Sequence, residues 1–428
     1  MNNPADKAWY KLDNAAKIFP PTSSKSDTKV FRFSCELREI VDGDMLQSAL
    51  DRTMDDFTGF QYVLKCGMFW YYLEQSDLRP IAYEENAPPC STNYLDRKML
   101  LFDVTWYGKR INLEVYHVLS DGTGAMQFLR LLVLNYLKSA HPDTVGTISG
   151  IDYDASNTQK MTDSFNKYYD RNKKLSKNKK LSNEKKPAAY QVKGTREAEW
   201  RLNIIEGSLS AGSLVSKARE YETSVTVLVT ALFMRAIYGE MSVQDGKKPV
   251  VISVPVNLRK YFDSKSTRNF FSLVDVKYYF HNNTDSLENI IKHCKECLSE
   301  HLNEEYLQAR LNKLLNIERN FFIRLLPLFI KNIFLYIAFS LAAREVTAVI
   351  SNLGNIQMPE EVKPYIKLFD VFISTNKPMI CICSYEDKMN ISFTSPFIST
   401  DIQCSFFRQL TQMGIAIEIS ANDLKRRD

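Results

Sequence analysis

The chain has 428 residues, of which 45% are hydrophobic and 12% aromatic. This length and composition exclude a single small module, a collagen-like chain and a wholly disordered chain, and they predict two or three compact units. The formal net charge is only +5, and positive charge is concentrated in residues 166–186, which hold eight Lys and one Arg against two acidic residues. The rest of the chain is close to neutral, so we expect no nucleic-acid partner.

The Lys-rich segment divides the chain near its middle. Its polarity, its Asn and Ser content and its lack of hydrophobic periodicity are typical of an exposed linker. We therefore predict an N-terminal subdomain at residues 1–165, a crossover linker at 166–190 and a C-terminal subdomain at 191–428. The eight cysteines are irregularly spaced and the first residues lack the pattern of an export signal. We expect a cytoplasmic protein without a disulfide framework.

Helix and strand patterns alternate along both halves of the chain. In the first half the predicted elements are a strand at 30–38, a helix at 44–57, a hairpin at 60–74, paired strands at 99–106 and 111–118, and a helix that begins at Ser120 or Asp121 and ends at His141. In the second half they are strands at 200–205, 250–256, 271–280, 345–350 and 414–419, helices at 209–220, 225–238, 286–315 and 406–413, and a hairpin at 379–393. This order predicts an α/β protein, an α+β two-layer sandwich with a cleft between its layers.

Residues 321–343 are apolar over a length close to that of a membrane-spanning helix. Arg324, Pro327, Lys331 and Asn332 interrupt the run, and a charge near the middle of a span costs about 2.5–3.5 kcal/mol. We therefore predict a buried or surface-docked helix and no transmembrane span. The simplest interpretation is an ordinary core helix; the alternatives are the wall of an apolar tunnel and peripheral contact with a membrane.

His117 closes the apolar face of the strand at 111–118. Alternation places it on the same face as Leu113 and Val115, so its ring is expected to point inward. A lone His in this position is more often a hydrogen-bonded core residue than a catalyst. However, His117, Asp121 and Gly122 form His-x-x-x-Asp-Gly at a strand-to-helix transition. There an imidazole can reach the mouth of a cleft, an Asp can hold the turn, and a Gly leaves one wall without a side chain.

Four motifs occur in order around this turn. They are WYKLDNAAKIFP at 9–20, YHVLSDGTGAMQFL at 116–129, VPVNLRKYF at 254–262 followed by STRNFFS at 266–272, and VISNLGNIQMP at 349–359. With these motifs the sequence resembles the chloramphenicol acetyltransferase-like (HxxxDG) acyltransferase superfamily, and most closely its bacterial alcohol acetyltransferase-like branch, which is related to condensation domains and wax ester synthases.

The resemblance implies two similarly folded subdomains with the active site in a tunnel between them. It implies that His117 is the general base, which takes a proton from an acceptor hydroxyl or amine as the acceptor attacks a thioester, without a covalent enzyme intermediate. An imidazole suits this role because its ordinary pKa lies near working pH. Asp121 would be structural and would pair with Arg259 across the subdomain boundary. The alternative for Arg259 is a solvated charge at a strand end.

Other positions are candidates with weaker support. The group that stabilises the oxyanion could be Ser253, Asn257, Asn269 or Ser351. Ser351 and Asn352 belong to an SNLG loop that resembles a turn of wax ester synthases; the loop either lines the tunnel or is an ordinary β-turn. Tyr116 stands where condensation domains usually carry a first His, which argues against amide formation.

Signals for cofactors are poor. The sequence lacks phosphate-binding glycine motifs, and His293, Cys294, Cys297 and His301 have the spacing of a helix face rather than of a metal site. We expect no metal and no tightly bound cofactor, with acyl-CoA or a phosphopantetheine thioester on a separate acyl carrier protein as co-substrate. The function expected is transfer of an acyl group to a small or lipid-like alcohol or amine. The alternatives are a carrier-protein-dependent condensation catalyst and a non-catalytic binding protein.

Overall fold

The computed structural model describes residues 7–95, 98–153, 155–171 and 188–422. Most of the predicted linker, residues 172–187, lies outside these described residues. The strands are β1 (Trp9–Lys11), β2 (Val30–Leu37), β3 (Tyr62–Cys66), β4 (Tyr71–Gln75), β5 (Ala82–Glu84), β6 (Phe102–Tyr107), β7 (Arg110–Tyr116), β8 (Asn203–Ser210), β9 (Val250–Asn257), β10 (Phe271–Tyr278), β11 (Ala348–Asn355), β12 (Ile366–Ile373), β13 (Met379–Tyr385), β14 (Lys388–Ser395) and β15 (Ile417–Ala421). The helices are α1 (Phe19–Thr22), α2 (Gly43–Asp56), α3 (Gly122–Ala140), α4 (Pro142–Val145), α5 (Asn157–Lys160), α6 (Ser164–Lys167), α7 (Ala211–Glu220), α8 (Val225–Gly239), α9 (Leu287–His301), α10 (Glu304–Arg319), α11 (Phe321–Leu325), α12 (Leu328–Ala343) and α13 (Asp401–Gln412).

A five-stranded sheet forms the first layer, in the order β12-β2-β7-β6-β5. β2 pairs antiparallel with β7, which places Phe33 opposite Leu113 in the core. Helix α3 packs against these two strands, and α2 packs on α3. The opposite face is polar but also buried, since Arg32 and Glu114 form an ion pair at 2.6 Å there. Burial on both faces makes β7 a rigid support for the residues that follow it.

A seven-stranded sheet forms the second layer, in the order β10-β9-β11-β13-β14-β8-β15. β11 runs parallel to β9 and β13, and the other neighbours are antiparallel. Helix α8 is buried along most of its length and packs with α9 and α13. Aromatic residues such as Phe233, Phe393 and Phe406 fill the core between these helices and the sheet. A separate small sheet, in the order β1-β4-β3, lies outside the two layers.

The two layers are joined by strand β12, which the sequence patterns did not predict. It comes from the second half of the chain but pairs antiparallel with β2 of the first sheet. The Asn390 side chain on β14 donates a hydrogen bond to the backbone oxygen of Phe369 at 2.8 Å. Arg110 of β7 donates to both carboxylate oxygens of Glu206 on β8, at 3.1 and 3.0 Å. Backbone pairing and charged contacts therefore fix the layers against each other.

Several predicted elements have different boundaries in the structure: the strand predicted at 200–205 is β8, which extends to Ser210, and the helix predicted at 406–413 is α13, which begins at Asp401. Two further differences have a clear physical reason. The long helix at 286–315 is two helices, because the chain turns at Asn303, whose side chain accepts the Tyr306 amide at 2.9 Å and caps α10. The predicted strand at 345–350 is β11, which extends to Asn355 and so includes the SNLG residues that we predicted as a loop. A register shift between Asn352 and Gly354 marks a bulge, and Gly354 has φ +79°, which suits glycine.

The apolar segment at 321–343 is not a core helix. It forms α11 and α12 on either side of Leu326 and Pro327, and most of its apolar side chains are exposed. The prediction of a surface-docked helix is therefore correct, and the core interpretation is wrong. Within the part of the chain that the structure describes, none of the helices combines the length and apolar character needed to cross a membrane.

Candidate active site

His117 lies in the turn between β7 and α3. Its backbone amide still donates to Lys29 O at 3.0 Å, so the alternation of β7 continues through it. The ring stacks on Phe19, with centroids 4.6 Å apart, and meets the edge of Phe31 at 5.0 Å. Burial lowers the pKa of His117 below its ordinary value, while the charge of Asp121 opposes this shift. The imidazole is therefore neutral at pH 7.

Asn269 fixes the tautomer of this imidazole. The Asn269 Nδ2 group donates to His117 O at 3.0 Å and to Asp13 Oδ2 at 3.2 Å, so Oδ1 is the acceptor. His117 Nδ1 lies 2.9 Å from that Oδ1 and must carry the proton. Nε2 is then the unprotonated nitrogen. An available lone pair on Nε2 is what a general base requires.

Asp13 completes the chain of contacts behind His117. It is fully buried, its Oδ1 accepts the Ala16 amide at 2.8 Å, and Arg268 Nε lies 3.7 Å from Oδ2. Burial raises the pKa of Asp13 to about 6, against the opposing charge of Arg268. We did not select Asp13 or Phe19 from the sequence, although both lie in the WYKLDNAAKIFP motif, which was the available signal.

Asp121 holds the turn from the other side. It is the N-cap of α3, where its Oδ1 accepts the Gly124 amide at 3.1 Å. Its Oδ2 accepts Arg259 Nη1 at 2.7 Å and the Phe270 amide at 2.8 Å. Both partners of this ion pair are largely buried, with side-chain exposures of 10% for Arg259 and 7% for Asp121. Asp121 and Arg259, which the family resemblance pairs, are thus in direct contact.

The segment 266–270 connects all of these groups. The Arg259 guanidinium donates to Ser266 O at 2.8 Å and to Arg268 O at 2.5 Å. The Ser120 hydroxyl donates to Thr267 O, also at 2.5 Å. Close approach is possible because residue 124 is glycine: a Cβ there would lie 2.0 Å from Thr267 O. The STRNFFS motif therefore positions His117, Asp121 and Arg259 together.

The remaining predicted residues divide into two groups. Asn257 supports the turn, since its Oδ1 accepts the Arg259 amide at 3.0 Å and its Nδ2 donates to Thr123 at 3.1 Å. Ser253 lies elsewhere in the hydrogen-bond network, because its hydroxyl donates to Asp275 at 2.9 Å.

Strand β11 passes close to Gly122. A Cβ on Gly122 would lie 2.9 Å from Leu353 Cδ2. The Asn352 side chain instead donates to Thr226 of α8 at 2.9 Å. Val349 packs on the core of the first layer, and Ser351, two residues further along β11 and before the bulge, lies on the same face of the strand.

The sulfur and imidazole groups at 293–301 and 381–383 lie in packed elements. Cys294 is buried against Met234, and Cys381 and Cys383 are buried in β13. His293 Nε2 lies 2.7 Å from Lys277 O, and His301 Nδ1 lies 2.7 Å from Cys297 O. Among the described residues, no group of three or more His, Cys, Asp or Glu is arranged to hold a metal ion.

Solved structures share this architecture along nearly the whole chain. The first condensation domain of the calcium-dependent antibiotic synthetase superposes with a TM-score of 0.66 at 13% identity, over 96% of this chain and 97% of that one. Polyketide synthase associated protein 5 from Mycobacterium tuberculosis has a TM-score of 0.63 at 15% identity, over 94% and 97% of the two chains. Trichothecene 15-O-acetyltransferase from Fusarium sporotrichioides has a TM-score of 0.63 at 10% identity, over 96% and 95%.

No protein-family model matches the sequence, and a search of curated proteins finds no match. The structural likeness nevertheless defines the fold. The chain has the chloramphenicol acetyltransferase-like fold of condensation domains, as its motifs predicted.

Proposed function

We propose that this protein is an acyltransferase that moves an acyl group from a thioester to a hydroxyl or amine acceptor, with His117 as the general base. The observation that carries this proposal is the state of the imidazole. Nδ1 is held as a donor by Asn269, the ring is neutral, and Nε2 is left as the basic nitrogen. A core histidine with only a packing role does not need a fixed tautomer.

The reaction needs one base and one leaving thiolate. His117 Nε2 accepts the proton of the acceptor O–H or N–H as that oxygen or nitrogen attacks the thioester carbonyl. When the tetrahedral intermediate collapses, the C–S bond breaks and the imidazolium returns the proton to the thiolate. The products are an ester or amide and a free thiol, and the enzyme is regenerated without a covalent intermediate.

The surrounding residues position this base. Asp121 and Arg259 hold the turn, Asn269 orients the ring, and Phe19 covers one face of it. We assign the oxyanion donor to Ser351. Of the four candidates, Ser253, Asn257 and Asn269 are bonded to Asp275, Thr123 and His117 respectively. Only Ser351 has both a hydroxyl without a partner among the described residues and a place on the strand beside Gly122.

The donor in this proposal is acyl-CoA or a phosphopantetheine thioester carried by a separate protein, and no other cofactor is required. The acceptor is a small or lipid-like alcohol or amine. Carrier-dependent condensation is the second candidate, because the chain superposes with a condensation domain over nearly its full length. Tyr116 favours acyl transfer over carrier-dependent condensation, because it stands where condensation domains usually carry the first His of their motif. The Tyr116 hydroxyl is buried and lies 2.9 Å from the Ser23 hydroxyl.

The test is release of free thiol from acyl-CoA donors of several chain lengths, with a panel of alcohols and amines, and from the same acyl groups on a carrier protein. His117→Ala should lower the rate by about 10² to 10⁴. The exposed His281→Ala is the matched control and should leave the rate unchanged. Activity only with the carrier-bound donor would favour condensation. Ligand binding without any turnover that depends on His117 would show a non-catalytic protein and end the proposal.

A further inference from the structure

Helices α11 and α12 and the tip of the β3–β4 hairpin carry an unusual amount of exposed apolar surface. Phe322 is 78% exposed, Phe329 66% and Phe334 61%, and Met68 at the hairpin tip is 74% exposed. In α12 only Leu328 is buried. We call this surface the apolar face. It comprises Met68, Trp70, Phe321, Phe322, Phe329, Ile333, Phe334, Tyr336, Ile337 and Leu341.

The helix and the hairpin form one continuous surface. The Leu328 amide donates to Met68 O at 2.8 Å, and Lys331 Nζ donates to Phe69 O at the same distance. One helical turn after Leu328, the Asn332 side chain donates to the Tyr71 hydroxyl at 2.9 Å. These polar contacts lie on the inner side of α12. The apolar side chains on the opposite side of α12 are therefore directed away from the protein by the way the helix is attached.

The charges on this segment all have one sign. Residues 319–344 contain Arg319, Arg324, Lys331 and Arg344 and no acidic residue. In a symmetric dimer through this face, these cations would find no acidic partner on the same segment of the second copy, which is unfavourable. Arg324 and Arg344 are exposed, whereas Lys331 is bonded to the hairpin and Arg319 to Asn166. An anionic lipid surface complements the two exposed cations, at about 1 kcal/mol for each Arg near the headgroups. Apolar exposure together with positive charge distinguishes a membrane surface from a second copy of the chain.

We propose that the apolar face binds the surface of an anionic phospholipid bilayer, with α11 and α12 lying in the plane of the interface. Pro327 separates the two helices, and the half-buried Lys331 holds α12 to the hairpin. Trp70 and Tyr336 are exposed aromatic residues with a polar group on the ring, a type that prefers the headgroup level. The apolar side chains enter the boundary between headgroups and acyl chains.

The apolar face is adjacent to the candidate active site. Helix α12 packs on α1, which begins with Phe19, the residue that stacks on His117. Near the same point, Lys29 Nζ lies 4.6 Å from the ring centre of Phe339. A lipid-like acceptor or a long acyl chain would therefore have a short path from the bilayer to the base. This last step rests on the proposed function; the membrane binding does not.

The test is flotation of the full chain with vesicles of equal parts phosphatidylcholine and phosphatidylserine, compared with vesicles of phosphatidylcholine alone. Wild type should bind the anionic vesicles more tightly, and Arg324→Gln should weaken this binding about fivefold. The triple variant F322S/F329S/F334S should weaken it by at least about a hundredfold. The matched control, I40S/Y107S/V243S, removes three exposed hydrophobic residues elsewhere and should bind like wild type.

His117→Ala should also bind like wild type, which separates this proposal from the proposed function. Thermal melting of each variant establishes that it is folded. Equal binding to both kinds of vesicle, or equal loss in the two triple variants, would overturn the proposal. A third result would also overturn it: no binding to vesicles, together with a dimer in sedimentation equilibrium that only F322S/F329S/F334S disrupts.

Discussion

Two neighbouring regions differ in what their side chains contact: the turn that carries His117, and the pair of helices α11 and α12. The polar side chains of the turn are hydrogen-bonded within the protein, whereas many apolar side chains of the helices face outward. In the turn, Asp121 alone accepts three hydrogen bonds, and Asn269 uses both ends of its amide. In α11 and α12, Phe322 and Phe334 are mostly exposed. A turn held by these hydrogen bonds can keep one geometry for chemistry. Exposed helices contribute little to the core and are suited to meeting another surface.

The largest contrast is expected from removing one arginine in each region. Arg259→Met leaves the buried Asp121 carboxylate without its ion pair, which should lower the free energy of unfolding by about 3–5 kcal/mol. Arg324→Met on exposed α11 should change it by less than about 0.5 kcal/mol. Urea unfolding of both variants measures the difference. Equal stability would show that the Arg259 contact does not support the turn.

Two serines extend the comparison to catalysis. If Ser351 donates to the oxyanion, Ser351→Ala should lower kcat by about 10² to 10³, because the missing bond forms mainly in the transition state. Ser340→Ala in α12 should leave kcat unchanged with short-chain substrates. Steady-state kinetics of the two variants checks this. If the Ser351→Ala substitution raised KM and left kcat unchanged, Ser351 would contact the bound substrate and would not be the oxyanion donor.

A smaller effect is expected in the pH profile. Because burial lowers the pKa of His117, the base stays unprotonated in mildly acidic solution, and the acidic limb of kcat/KM should lie below pH 6.5. The Asn269 hydrogen bond raises this pKa, so Asn269→Leu should move the limb further down while lowering kcat. A change in kcat without a shift of the limb would give Asn269 a purely structural role.

The lowered pKa of His117 also predicts that the folded state becomes less stable as pH falls. As pH falls below about 6.5, the unfolded chain binds a proton at this histidine before the folded chain does. The folded state of wild type should therefore lose stability relative to His117→Ala as pH decreases through this range. Urea unfolding of both proteins at several pH values checks the direction.

Sequence patterns located most of the elements, because periodicity depends on which residues are buried and the layers bury regular faces. They missed what depends on partners far away in the chain. β12 is an example: it follows β11 in sequence but pairs with β2. The helix at 286–315 was predicted as continuous because the apolar spacing continues through Asn303, where only the cap reveals the break.

The motifs, through the family that they resemble, predicted the fold and pointed to His117, Asp121 and Arg259. Only the tertiary structure decided the state of the imidazole. Asp13, Asn269 and His117 are separated by more than a hundred residues in the chain, and no local pattern encodes the contact between them. The exposure of α12 was decided in the same way, because an apolar helix has one sequence pattern whether protein or another surface covers it.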